Sequence, residues 1–282
     1  MAMSTAIAAT KPPQSLAALL KIGRPLVMGV LNVTPDSFSD GGQFFDPARA
    51  IAHAKQMVAD GADIVDVGAE STRPYGNAKP VDTSDEISRL TPVLGPVLGI
   101  APTVSIDSLK SSVAAWALDR GAAIMNDVWG LQRDPEMATL AAKRGVPIIV
   151  MHNRDKADPA IDIVADVLAF FARSLEIASQ AGIARDQIVL DPGIGFGKTP
   201  EQSITCIGQF AAFRKFGMPL LLGASRKRFI ASVSPSEPSE RIGGSLAAHL
   251  FGVENGASIV RAHDVRETVQ ALRVNAAIRS AT

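Results

Sequence analysis

Residues 121–152 read GAAIMNDVWGLQRDPEMATLAAKRGVPIIVMH, and the fold turns on how this stretch divides. Residues 123–125 form a short apolar run that ends in Asn126-Asp127. Asp134-Pro135 then sets a capping oxygen ahead of a proline suited to a first helical position. Small or apolar residues recur every three or four positions over 135–144, Gly145 stops that helix, and 147–151 is a second apolar run. Apolar side chains on consecutive positions suit strands buried on both faces. Strand, helix and strand in this order make a parallel βαβ unit.

The same unit repeats in both directions. Apolar runs at 26–33, 64–67, 103–106, 187–190, 219–222 and 258–260 bring the number of predicted strands to eight. Helical periods lie between them, among them 47–60, 108–120, 163–181 and 239–255. Asp46-Pro47 and Thr199-Pro200 repeat the capping signal, and Gly61, Gly121, Gly182, Gly217 and Gly256 repeat the stop. Eight such units predict an α/β fold of the (β/α)8 TIM-barrel type as a single domain over 25–282, with an open doubly wound sheet as the alternative. Residues 1–24 hold small residues, Pro12-Pro13 and a short leucine stretch, without the basic start of a secretory signal, and read as an N-terminal extension.

Composition narrows the function. With 282 residues, 47% of them hydrophobic and 20% charged, the chain has the makings of a large core. Lys plus Arg and Asp plus Glu are both 28, so no net field draws a polyanion or an acidic membrane. Aromatic residues, at 5%, are too sparse for a nucleic-acid stacking platform. No apolar run reaches the ~18 residues of a membrane helix. The single cysteine, Cys206, excludes an internal disulfide, fits a reducing cytoplasm, and reads as a packing residue of a helix.

In parallel α/β folds the residues past each strand meet at one rim. Here they are Asn32, Asp66 with Glu70, Asp107, Asn126 with Asp127, His152, Asp191, Ser225 with Lys227, and Arg261 with His263. One such residue commonly caps the next helix. A polar group after every strand, with both charge signs, points to a polar ligand or a dense salt-bridge network. Two long loops, 32–42 and 70–82, follow strands at this rim and read as lids. Residues 191–199, DPGIGFGKT, fail as a phosphate-binding loop because Pro192 stands where a glycine is required. What remains is a flexible glycine turn beside a carboxylate that lets a flat ligand approach the backbone. Arg261 and His263 point the same way from the last strand, as a clamp for phosphate or carboxylate. The other histidines, His53, His152 and His249, lack metal-ligand spacing.

Taken in order, residues 29–42, 70–74, 105–108, 126–127, 191–198, 225–227 and 261–265 resemble dihydropteroate synthase, with the likeness running from about Leu26 to Ile278. The resemblance implies a barrel enzyme of folate biosynthesis. It would join the pyrophosphate ester of 6-hydroxymethyl-7,8-dihydropterin to p-aminobenzoate, giving 7,8-dihydropteroate and pyrophosphate, with Mg2+. By position, it implies a pterin site of Asp107, Asn126, Met151, Asp191, Lys227 and Arg261. It implies a pyrophosphate site of Asn32, Thr72, Arg73, Arg261 and His263, with Asn32 also the protein ligand to magnesium. The p-aminobenzoate site would comprise Phe38, Thr72, Arg73, Pro74, Phe196, Ser225, Lys227 and Arg228.

Under the same resemblance the catalytic groups are Asp36, Asp107, Lys227, Arg261 and His263. Departing pyrophosphate leaves a pterin methylene cation, held by Asp36 and Asp107 and attacked by the aminobenzoate amine. Sulfonamides would compete with p-aminobenzoate, and the chain would form a homodimer through its last helices. The sequence departs from the family pattern at Ala69, at Tyr75-Gly76-Asn77-Ala78, at Asn153-Arg154-Asp155 and at Arg228. Two other readings are a pterin-binding methyltransferase barrel of corrinoid systems and an inactive pterin-binding paralogue. The joint presence of Thr72-Arg73-Pro74, Ser225-Arg226-Lys227 and Arg261-Ala262-His263 favours the synthase.

Overall fold

A computed structural model describes residues 15–34, 46–70 and 81–281. Its eight strands are β1 (Leu26–Asn32), β2 (Ile64–Gly68), β3 (Val104–Asp107), β4 (Ile124–Asp127), β5 (Ile148–Met151), β6 (Ile188–Asp191), β7 (Leu220–Leu222) and β8 (Ala257–Ala262). They are all parallel and pair in chain order, and β8 returns to β1 with Leu26 opposite Ile259, so the sheet is closed. The barrel is the architecture predicted, and the open sheet is excluded.

Among the described residues ten α-helices accompany the strands: α1 (Leu16–Leu20), α2 (Pro47–Ala59), α3 (Thr83–Leu98), α4 (Ser111–Leu118), α5 (Pro135–Arg144), α6 (Ile163–Ala181), α7 (Pro200–Gly208), α8 (Arg228–Val233), α9 (Ile242–Glu254) and α10 (Val265–Ser280). The capping signals act as read. Asp46 accepts from the N–H of Ala48 at 2.9 Å, Asp134 from that of Glu136 at 3.0 Å, and Thr199 from that of Gln202 at 3.2 Å. Gln202 answers by accepting from the Thr199 N–H at 3.0 Å, which completes a capping box. At the other ends Gly145 and Gly182 adopt left-handed conformations, φ 60° and 85°, where a Cβ is unfavourable. α3 runs on through Pro92 and Pro96, which local rules would take as breaks. Both prolines face outward, while Val93, Leu94 and Val97 bury the opposite side.

Alternating strand residues divide the core in two. Those facing outward, such as Val65, Val67 and Leu190, pack with the helices in the larger cluster. Those facing inward at the N-terminal end of the barrel form a separate cluster of Leu26, Met28, Ile64, Ile124, Ile149, Val189, Leu221 and Ile259. α1 closes this end: Leu16 and Leu19, within the segment read from sequence as an extension, are buried against it. Arg24 ties the same segment to the start of β2 by a two-pronged pair with Asp63, at 2.7 and 2.8 Å. The C-terminal end is therefore the end open to a ligand.

Candidate active site

Two residues above the inward apolar layer the same strands carry polar groups, since side chains two apart share a face. Arg261 of β8 lies across the barrel mouth, its Nε donating to Asp66 Oδ2 at 2.7 Å and its Nη2 to Asp107 Oδ2 at 2.8 Å. Asp66 Oδ2 also accepts from Asn126 Nδ2 at 2.9 Å, so one fully buried carboxylate orients both an amide and a guanidinium. Asp107, Asn126, Met151, Asp191, Phe196, Lys227 and Arg261 line one cavity, which unites all the pterin residues implied by the resemblance.

Among the described residues the carboxylates Asp107 and Asp191 share this cavity with the cations Arg261 and Lys227, and Asp66 lies behind Arg261. Oδ1 of Asp66 and Oδ1 of Asp107 are buried with no hydrogen-bond partner among the described residues. Burial, with the Asp66 charge beside it, pushes the Asp107 carboxyl up to about 7 against the pull of Arg261 and Lys227. Burial likewise raises Asp191 to about 6, opposed by the Gly193 N–H, which donates to it at 2.7 Å, and by Lys227 and Arg261. A ligand edge rich in N–H donors would satisfy these acceptors.

The turn after β6 supplies one wall. Gly193, Gly195 and Gly197 all have positive φ. A Cβ on Gly193 would stand 2.0 Å from the His152 carbonyl oxygen, and one on Gly197 would stand 2.4 Å from that of Arg154. The turn is thus packed backbone to backbone on the segment after β5. Gly193 and Gly197 serve a close protein contact, and Gly193 also lines the cavity. Phe196 comes to lie under the Lys227 ammonium, 4.0 Å from ring centroid to Nζ.

At the rim, Asn32 stands half-buried at the end of β1, paired in register with Gly68, which pairs in turn with Asp107. Ser225 Oγ accepts from the His263 N–H at 3.1 Å and lies 3.1 Å from His263 Nδ1, which joins the ends of β7 and β8. Arg228 opens α8 and is exposed. Arg226, of the basic cluster, is held by Asp264 and does not line the cavity. Asp127 caps the following turn through the N–H groups of Trp129 and Leu131, and Glu70 pairs with Lys110. Asp36, Phe38, Thr72, Arg73 and Pro74, with most of both lid loops, lie outside the described residues.

Sequence reasoning assigned no role to two buried groups. Asp66 was only one of the rim residues, although a lone acid inside the apolar run 64–67 was the available signal. Lys198 belongs to the failed phosphate-loop pattern and to the stretch 191–198 that carries the resemblance, and it is 2% exposed and hydrogen-bonds to His152.

Residues 28–263 match the family described as pterin binding enzyme. The dihydropteroate synthase of Bacillus subtilis is 44% identical over 266 residues, covering 93% of this chain and 90% of its own. The chain belongs to the dihydropteroate synthase family. A Clostridium difficile dihydropteroate synthase solved in the presence of pteroic acid has a TM-score of 0.86 and 44% identity, covering 91% of this chain and 97% of its own. One from Xanthomonas albilineans with 4-aminobenzoic acid has a TM-score of 0.87 and 38% identity, covering 92% and 94%. Among the described residues no helix is long and apolar enough to cross a membrane.

Proposed function

We propose that the barrel mouth binds a dihydropterin through Asp107, Asn126, Met151, Asp191, Lys227 and Arg261 and joins its methylene carbon to the amine of p-aminobenzoate. The chain is a transferase of folate biosynthesis, and the product is 7,8-dihydropteroate with release of pyrophosphate. The carrying observation is the single cavity in which Asp191, Asp107, Asn126 and Lys227 meet at the end of four different strands. A pterin edge presents adjacent donors and acceptors. Asp191 takes its amino and imino protons, Asn126 and Asp107 read the remaining edge, and Lys227 donates to its acceptors. Hydrogen bonds of this charged kind contribute ~1.5–3 kcal/mol each.

In the reaction the methylene C–O bond breaks with its electron pair leaving on pyrophosphate. The aminobenzoate nitrogen then forms the new C–N bond and loses a proton. Arg261, held by Asp66 and Asp107, presents a guanidinium fixed in plane for stacking on the ring and for the diphosphate. His263, set by Ser225, Thr72 and Arg73 are the further phosphate groups of this reading, and the carboxylates Asp36 and Asp107 hold the cationic carbon. Phe38, Thr72, Arg73, Pro74, Phe196, Ser225, Lys227 and Arg228 enclose p-aminobenzoate, and the two loops exclude water on closing.

Magnesium fits this donor set only jointly with substrate. Among the described residues no three His, Cys, Asp or Glu side chains gather to hold a metal. Asn32, at the end of β1, would offer one neutral amide oxygen, and diphosphate oxygens and water would complete a hard-oxygen shell. Bound there, the ion would neutralise charge on the leaving diphosphate. A homodimer in the cytoplasm accords with this reading: α9 and α10 pack side by side and expose Phe251, Val274 and Ile278.

The test is to mix the chain with dihydropterin pyrophosphate, p-aminobenzoate and Mg2+ and follow dihydropteroate by mass spectrometry. Product is expected, with a sulfonamide raising the KM for p-aminobenzoate at constant kcat. Normal pterin binding without product would reduce the chain to a binding module, and methyl transfer to a corrinoid partner would replace the reading altogether.

A further inference from the structure

Lys198 ends the glycine turn, where a phosphate-binding loop would aim its lysine at a ligand, but its side chain is directed into the protein. The ammonium donates to the carbonyl oxygens of Gly193 at 2.9 Å and Phe196 at 3.1 Å, and to His152 Nδ1 at 2.7 Å. Three protons meet three acceptors, which assigns the His152 lone pair to Nδ1 and its N–H to Nε2. Nε2 donates to Asp166 Oδ2 at 3.0 Å, and Asp166 is also held by Arg154 at 2.8 Å. Burial, with the Lys198 charge beside it, holds His152 down at about 3, so the ring is neutral.

Among the described residues no carboxylate bonds to this ammonium. The charged and titratable groups facing it are Asp191 from β6, Asp166 from α6, Arg154 and His152 from the segment after β5, and the Cys206 thiol from α7. Burial lowers Lys198 to about 8. A methionine would fill such a space without the desolvation that a buried cation costs. The atoms the ammonium does engage are the two carbonyls that fix the shape of the turn between Asp191 and Phe196.

We propose that Lys198 is a positioning residue of the pterin site, pinning the 193–196 turn against the segment after β5 so that the Gly193 N–H stays on Asp191 and the Phe196 ring stays beneath Lys227. This rests on the pterin reading of the cavity. The same charge helps to keep Asp191 ionised, since Lys198 is one of the cations that lower it. The glycine contacts support the clamp independently: the closest backbone approaches of the turn are to His152 and Arg154, on the side to which the ammonium reaches.

The experiment compares the full chain with Lys198→Met by calorimetry with dihydropterin pyrophosphate and by steady-state kinetics across pH. Expected are a KM for the pterin substrate raised about tenfold or more, the equivalent of one charged hydrogen bond, with kcat changed much less. The acid limb of the pterin kcat/KM profile should also move to higher pH, a shift that loosened packing alone would not produce. Failure of the parent chain to bind pterin would sink the reading of the cavity. A parent that binds, with Lys198→Met unchanged in KM and acid limb, would overturn the clamp. Should Lys198→Met not fold, His152→Asn, whose amide oxygen can take the place of Nδ1, is compared with His152→Leu. Weaker pterin binding in His152→Leu alone supports the clamp, and equal affinities overturn it.

Discussion

The two ends of the barrel interior are made by the same strands and furnished in opposite ways. Ile64, Ile124, Val189 and Ile259 face inward at the closed end, and the residues two further on, Asp66, Asn126, Asp191 and Arg261, face inward at the open one. A step of about 6.6 Å along each strand thus takes the interior from hydrocarbon to charge. At the closed end the inward apolar side chains are buried, with α1 as a lid. The open end tolerates buried carboxylate oxygens with no partner because the layer beneath it and the surrounding helices hold the strands in place. Stability and chemistry are separated along the barrel axis.

The strongest way to break this comparison is at the open end. Asp191→Asn or Lys227→Ala should weaken binding of dihydropterin pyrophosphate by about 100-fold or more, as loss of two charged hydrogen bonds requires. The thermal midpoint should not fall. Calorimetric titration beside a melting curve decides it, and retained affinity would mean that the cavity is not the pterin site. At the closed end the expectation is reversed. Leu19→Ala should lose about 2–4 kcal/mol in urea unfolding while both KM values stay put. A parallel rise in KM would show that the two ends are not independent.

A smaller effect sharpens the contrast through pH. Burial raises Asp107 to about 7, Asp191 to about 6 and Asp127 to about 6, all above the ordinary carboxylate value. The native state therefore keeps protons that the unfolded chain has already released. The stabilising contribution of these groups is complete below the unfolded value of 3.8 and is lost as pH rises through about 7. Between those limits the ligand-free protein should melt at lower temperature as pH increases, as far as these groups decide it. Asp107→Asn should flatten that slope. An unchanged slope in scanning calorimetry would remove Asp107 as a strained charge.

Much of the barrel was legible locally. Capping oxygens act within three residues, apolar runs report strands buried on both sides, and the glycine stops mark helix ends, so all eight strands appear within a residue or two of their predicted places. α3 was harder, because its packed face outweighs two prolines whose local effect is to break a helix. α1 was illegible for a different reason: two leucines, Leu16 and Leu19, say nothing of burial until the barrel base they cover exists. The cavity residues could be placed by resemblance, but their dependence on Asp66 could not. That ion pair joins side chains 195 positions apart.

Order along the chain, then, was enough to set element types, their alternation and the rim on which polar groups collect, since these follow from hydrogen bonds and periodicities spanning a few residues. Closure of the sheet, the plug beneath it, the orphan oxygens of Asp66 and Asp107 and the inward turn of Lys198 arose only on folding. Each depends on which groups lose water together, and desolvation is shared among neighbours in space that the order of residues does not name.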